Sequence, residues 1–521
     1  MQSASAADSC AASSACAPAA VASADVQSKA QGRFYALLVF MGFFWLLIAL
    51  LGHHAAPLDV IEMHTWAQAP QIGYYKHPPL PAWGIWLSES LFGHTHFALF
   101  LPSALSIVLS LLCVWPLALA CLGPRRALLA MFLQSLLAYY NLYAPDFNHN
   151  VAQMPVWAAA IGALYAALHS RSLWWWAAFG LALGLSGLSK YSAVFLLAAM
   201  LLYLGWDSAA RARLNWGGVL LAAALALAVV GPHLYWLYLN DLAPLHYAQE
   251  RLQEMTQHSG WGKNIVSYIG MQVAVHIALW AVLLWAWVRS ANGLQAQLQP
   301  ARENALSHSR FLLALGLGPF ALTLALGASG SYLHPMWASA MFPLSGIITV
   351  WWLGAAADQL ASRRAFLLWL SVMLLFGAVY ACKGSIWWTQ LTGKYTRAAY
   401  PGPELARELD ARWRQAHPGK PLKYIIGTPW EAGVASFYSS YAPQIVIDAD
   451  LRISPWVTAQ DIYRCGAITV AVQGTDLVAE IEDIWPEIEE FPPFRLRPAR
   501  PGSFPELGMA WAILPPHGEC K

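Results

Sequence analysis

Long apolar runs constrain this chain more than any other feature. They lie at approximately 34–51, 96–120, 126–144, 151–169, 173–188, 191–206, 216–239, 264–288, 310–328, 335–354 and 365–383. A helix needs about 20 apolar residues to cross the hydrocarbon core, where it satisfies its own backbone groups. Several runs reach that length; 173–188 and 191–206 are the short ones. The expectation is an all-α polytopic membrane domain with about eleven transmembrane helices. Composition agrees, with 58% hydrophobic and 11% charged residues, where a soluble domain carries roughly 25% charged. The net charge of +2 comes without basic runs, so no nucleic-acid partner is expected.

Charge asymmetry orients the spans. Arg125, Arg126, Arg171, Arg211, Arg213, Arg289, Arg302, Arg363 and Arg364 fall in one set of alternate loops, with Arg33 beside the first span on the same side. The opposite loops carry only Lys76, Lys190, Arg251 and Lys263. Basic loops stay cytoplasmic. The N-terminus is therefore expected inside and, after an odd number of spans, the C-terminus outside. Three outer segments result: about 52–95, 240–263 and 384–521.

The two ends differ in character. Residues 1–33 are rich in Ala and Ser and lack the basic region and short apolar core of a signal peptide. They read as a disordered cytoplasmic tail. Residues 34–383 form the expected membrane domain. Residues 384–521 break sharply toward polarity, with a charged helical stretch at Glu404–Gln415 and short β-like runs at Tyr424–Thr428, Gln444–Asp448, Ala467–Gln473 and Met509–Leu514. Pro and Gly punctuate them, which predicts a small C-terminal α/β domain on the periplasmic side. Cys465 and Cys520 would pair if that domain meets an oxidising compartment, and otherwise remain two thiols.

The first outer loop holds the candidate chemistry. Asp59 and Glu62 are three apart, which places both carboxylates on one helix face. Acids near a membrane boundary are costly unless used or paired. The competing reading is a capping arrangement, with Asp59 at the N-cap and Glu62 at the third helical position. Downstream stands Gly73-Tyr74-Tyr75-Lys76-His77-Pro78-Pro79-Leu80, in which two prolines stiffen the chain after His77.

Asp59, Trp66 and Gly73–Leu80, in that order and spacing, resemble the first periplasmic loop of the family 39-like membrane glycosyltransferases. These are GT-C fold relatives of the protein O-mannosyltransferases and the lipid A aminoarabinose transferases. Tyr143–Asn150 with Met154-Pro155-Val156-Trp157 resembles their second outer loop, and Gly187-Leu188-Ser189-Lys190-Tyr191 their Gly-x-x-Lys-Tyr element. Many members carry adjacent Asp-Glu; here Val60 follows Asp59 and the second acid is Glu62.

The resemblance implies transfer of a sugar from a polyprenyl-phosphate or diphosphate donor to an acceptor hydroxyl outside the membrane. It implies Asp59 as general base, since a sugar hydroxyl is a poor nucleophile until a positioned carboxylate takes its proton. Glu62 and Asp146 are further catalytic candidates. The leaving lipid phosphate needs cations or donors, for which Lys76, His77, Lys190 and Arg251 are candidates. Lys190 lies at an outer helix end in apolar surroundings, either paired or snorkelling to the interface. Tyr75, Trp66, Asn148 and His149 are candidate sugar or acceptor contacts. A divalent metal on Asp59 and Asp146 is an option that no spacing demands. His334 and Tyr332, between two spans, read as ordinary interfacial residues. Expected partners are a polyprenyl-phosphate sugar, membrane lipid, and a glycan, lipid A or protein acceptor. The alternative class, a transporter or flippase of lipid-linked sugars, fits a multi-span chain. It predicts internal repeats and mid-membrane charges, whereas here the acids gather on one outer face.

Overall fold

The computed structural model describes residues 8–258, 260–290, 305–360, 362–384, 392, 396–475, 481, 484–496 and 506–520. The chain is mainly helical. Helix α1 spans Asp8–Gly52, so the expected disordered tail is helical from Asp8. Its Ala-rich sequence favours helix, and it extends a span already formed, which removes the cost of nucleation. Two shorter helices, α2 (Leu58–Ala67) and α3 (Leu80–Phe92), fill the first loop.

The membrane helices follow: α4 (His96–Leu122), α5 (Pro124–Ser135), α6 (His149–His169), α7 (Leu173–Ser189), α8 (Ala193–Trp206), the short α9 (Ser208–Ala212) and α10 (Trp216–Leu239). Then come α11 (Ala243–His258), α12 (Trp261–Val275), α13 (Ile277–Ser290), α14 (Ala305–Ala328), α15 (Ser345–Leu353) and α16 (Arg363–Gly384). Among the described residues, six helices are long and apolar enough to cross a membrane, or eight if each of two bent pairs is one span. The expected count of about eleven exceeds this. The run 126–144 stops as a helix at Ser135, and α7 and α8 are apolar but short. The run 264–288 is bent by 68° between α12 and α13.

The C-terminal region forms a five-stranded sheet in the order β2-β1-β3-β5-β4. The strands are β1 (Tyr424–Gly427), β2 (Gln444–Ile447), β3 (Ala467–Val472), β4 (Glu489–Leu496) and β5 (Leu507–Leu514). The first three are parallel, and β5 and β4 add antiparallel. Four strands match the β-like runs. The fifth, β4, carries Pro492-Pro493, which argues against a strand in sequence; it occupies the sheet edge, where missing N–H groups face no partner. Three helices accompany the sheet: α17 (Gly402–Ala416), α18 (Glu431–Tyr438) and α19 (Ala459–Cys465). Cys465 and Cys520 form a disulfide.

The sheet domain is fastened to the first loop. Gly433 of α18 meets α2 so closely that a Cβ there would lie 2.4 Å from Ile61 Cγ2. Gln68 donates to Ser436 Oγ at 2.8 Å and to the Pro443 carbonyl at 3.2 Å. The Ala56 N–H donates to the Tyr438 hydroxyl at 3.0 Å, and His54 pairs with Glu404 at 2.9 Å. These contacts place the sheet at the same end of the helical bundle as the candidate residues.

Candidate active site

Helix α2 begins after Pro57, which offers no side-chain cap. Asp59 is therefore inside the first turn, and the capping reading does not hold. Asp59 and Glu62 share a face, as their spacing predicts, but they take different partners. Asn148 donates its side-chain amide to Asp59 Oδ2 at 3.0 Å. Glu62 is nearly buried and receives Lys76 Nζ at 2.7 Å. Burial opposes the Lys76 ammonium, yet Glu62 beside it, together with Tyr247 and Tyr75, outweighs burial and holds its pKa above the ordinary value. Lys76 also stands over the Tyr247 ring, 5.6 Å from its centre.

Lys190 caps the end of α7 and donates to Asn150 Oδ1 at 2.6 Å. Its ammonium lies 5.0 Å from the centre of the Trp337 ring. Burial pushes its pKa down to about 7, and the charge of Asp59 resists that shift. The two loops thus form one unit: Asn148 holds Asp59, Asn150 holds Lys190, and both asparagines start α6. The Asn148 side-chain Oδ1 accepts the N–H groups of Asn150 and Val151 at 2.9 and 3.2 Å, capping the helix.

His77 and His149 lie against one another, ring centres 3.9 Å apart and planes tilted by 43°. Burial first, then His149, Lys190 and Lys76, hold the His77 pKa well below its ordinary value, so its ring is neutral. Trp66 is fully buried and spends its face on Tyr74 at 4.8 Å. The expected sugar contact through Trp66 is thus taken up by packing. Its Nε1 and the Nε2 of His149 are buried without a hydrogen-bond partner among the described residues. Tyr75 is part-exposed, edge-on to Tyr247 at 5.8 Å. Asp448, at the end of β2, acts on its hydroxyl along with Glu62 and Tyr247. Gly73 is required by a close approach: a Cβ there would lie 2.3 Å from the Trp236 ring.

Two predicted residues stand elsewhere. Asp146 accepts from the Tyr380 hydroxyl at 2.7 Å and lies 4.0 Å from His53 Nε2. It tethers the second loop to α16. Arg251 is exposed on α11 and pairs with Glu254 at 3.0 Å, so the fold does not gather it with Lys76 and Lys190. Conversely, His334 belongs to the site although its position reads as interfacial. Burial and then Lys190 lower its pKa while Asp59 raises it. Asn150 stands in the Tyr143–Asn150 segment but nothing singles it out there, and Trp337, Tyr247 and Asp448 carry no signal, because nothing in sequence links their segments to the first loop.

Comparison with known proteins identifies the fold around these residues. The family of dolichyl-phosphate-mannose-protein mannosyltransferases matches residues 76–236. A lipid A galacturonosyltransferase of Rhizobium johnstonii is 23% identical over 318 residues, 60% of this chain and 64% of that protein. The chain therefore spans somewhat less than two thirds of that relative. A lipopolysaccharide core galacturonosyltransferase of the same organism is 26% identical over 393 residues, 71% of this chain and 74% of that protein. ArnT from Cupriavidus metallidurans, bound to undecaprenyl phosphate, superposes with a TM-score of 0.59 at 15% identity, covering 92% of this chain and 97% of its own. The apo form of that ArnT gives the same TM-score at 14% identity. The fold is the GT-C membrane fold with an appended sheet domain.

Proposed function

We propose, for a chain that belongs with the GT-C-type, mannosyltransferase- and ArnT-like membrane glycosyltransferases, that it moves a hexosyl or pentosyl group from a polyprenyl-phosphate donor to a glycolipid acceptor of the lipid A or lipopolysaccharide core type. The reaction takes place on the periplasmic face of the inner membrane. The observation that carries this reading is the Asp59–Asn148 and Lys190–Asn150 pairing at the head of α6. It sets a carboxylate base and a cation on one short segment, as transfer from a phosphate requires.

Asp59 takes the acceptor proton through Oδ1, which has no hydrogen bond among the described residues, while Asn148 fixes Oδ2. The acceptor oxygen attacks the anomeric carbon, and the bond from that carbon to the phosphate oxygen breaks. The electron pair leaves on the lipid phosphate, whose charge Lys190 offsets. Lys76 is held by Glu62 and orders the loop between Tyr75 and His77. The galacturonosyltransferase names of the two relatives support a uronic acid as the sugar and favour a glycolipid acceptor over a protein.

The test is purified protein in detergent with radiolabelled polyprenyl-phosphate galacturonate and lipid A. Label should move to lipid A, and Asp59→Asn should abolish the transfer by about 100- to 10,000-fold. If the label instead crosses the bilayer of proteoliposomes unchanged, and Asp59→Asn makes no difference, the molecule is a transporter and the proposal fails.

A further inference from the structure

Outside the cluster around Asp59, the described residues hold one group of metal-ligating side chains: His64 on α2, Glu89 on α3 and His94 in the turn before α4. One ligand atom from each lies within 4.8 Å of the others. His64 Nδ1 is 2.7 Å from Glu89 Oε1, and His94 Nδ1 is 3.5 Å from the same oxygen. The two imidazoles meet edge to face at 5.6 Å.

Around a tetrahedral zinc ion, with ligand bonds of about 2.0–2.1 Å, ligand atoms sit about 3.3 Å apart. The observed distances straddle that value, so small side-chain adjustments convert the hydrogen-bonded triad into a ligand set. Two neutral imidazoles and one carboxylate are a familiar zinc donor set with one position left over. That position is provided for. A cavity of about 330 Å³ borders Gln68, Trp86, Glu89, Ser90, His94 and Gln444, giving both an access route and room for water. Gln68 Oε1, on the same cavity, is buried without a partner among the described residues. It is an acceptor that a metal-bound water would satisfy.

A plain ion-paired core explains less. His64 and Glu89 are 1% and 8% exposed, and one carboxylate with a single charge serves two rings. Burying such a group in the first loop is expensive unless it does further work. What it joins is informative. His64 lies two residues beyond Glu62, just over half a turn, on the helix that carries Asp59, and its ring packs edge-on against Phe437 of α18 at 5.0 Å. An ion here would clamp α2, α3 and the turn before α4 beneath the sheet domain.

We propose that His64, Glu89 and His94 form a divalent-metal site of the zinc class, with water in the fourth position, that fixes α2 and thereby the orientation of Asp59. The role is positional: these residues hold the helix and do not touch the reacting atoms.

The probe is the metal alone. Full-length protein in detergent, freed of metal by a chelator and titrated with zinc, should take up about one ion per chain. Cobalt in place of zinc should give the visible absorption bands of a four-coordinate ion. Zinc should raise the Tm of the native chain. His94→Ala changes a half-exposed turn residue and should leave folding intact while weakening zinc by more than about 100-fold, beyond the 10- to 100-fold typical of losing an outer hydrogen-bond partner. Glu89→Gln keeps the shape and should do the same. If the chain fails to bind zinc, or if both variants bind it as tightly as the native protein with the same cobalt spectrum, the site is refuted.

Discussion

Asn148 faces two ways: its side-chain Oδ1 caps α6, and its Nδ2 donates to Asp59 Oδ2 at 3.0 Å. A single side chain thus couples the start of a membrane helix to the candidate base. Serine at this position can still cap a helix, but it lacks the amide nitrogen. Asn148→Ser should therefore leave thermal stability within about 0.5 kcal/mol while lowering kcat by about 10- to 100-fold, the scale of a misplaced catalytic group. Asn148→Ala should lose both. A stable and fully active Asn148→Ser would remove Asn148 from the mechanism.

Lys190 gives a pH dependence with a definite sign. Burial lowers its pKa to about 7 against the pull of Asp59. Below that value the ammonium is present to meet the donor phosphate; above it the neutral amine is the ground state, and recharging it costs about 1.4 kcal/mol per pH unit. The KM for the donor should be flat below pH 7 and rise several-fold between pH 7 and 8. Lys190→Arg stays charged across this range and should flatten the profile, whatever it does to kcat. A native KM that falls with pH would contradict the assignment.

The contact between Gly433 and Ile61 is a seam between domains. Gly433→Val inserts two methyl groups where a single Cβ already clashes. Overpacking of this kind costs about 1–3 kcal/mol. The sheet domain should loosen from α2, seen as faster proteolysis near residue 400 and a lower Tm. Gly433→Val that melts and cleaves like the native protein would show that the seam carries no strain.

The Cys465–Cys520 bridge closes a segment of 55 residues. Removing it should destabilise the sheet domain by about 4 kcal/mol in the chain-entropy description. Denaturation of Cys465→Ser against the oxidised native chain measures this. Added reductant should reproduce the loss in the native chain and leave the variant unchanged.

Some of this was legible in one dimension. Apolar runs of helical length mark a bundle because only helices satisfy backbone groups in lipid, and that requirement is local. The β-like runs of the tail and the Asp59–Glu62 face were equally local, governed by periods of two and about four residues. The loop from Gly73 to Leu80 was readable as a motif, although the reason for its glycine, the Trp236 ring lying on it, was not.

What sequence alone determined, then, is a many-helix membrane chain with a polar α/β tail and a first loop rich in chemical groups. Tertiary structure decided which groups meet. It tied Lys76 to Glu62, drew Asp59 to Asn148 rather than to a cap, and turned Asp146 toward Tyr380. It also brought His334 and Asp448 from remote segments to the loop, left Arg251 outside, and shortened the count of full spans. Each outcome depends on helices crossing at distances and angles that no local period encodes, because packing chooses partners by shape across hundreds of residues.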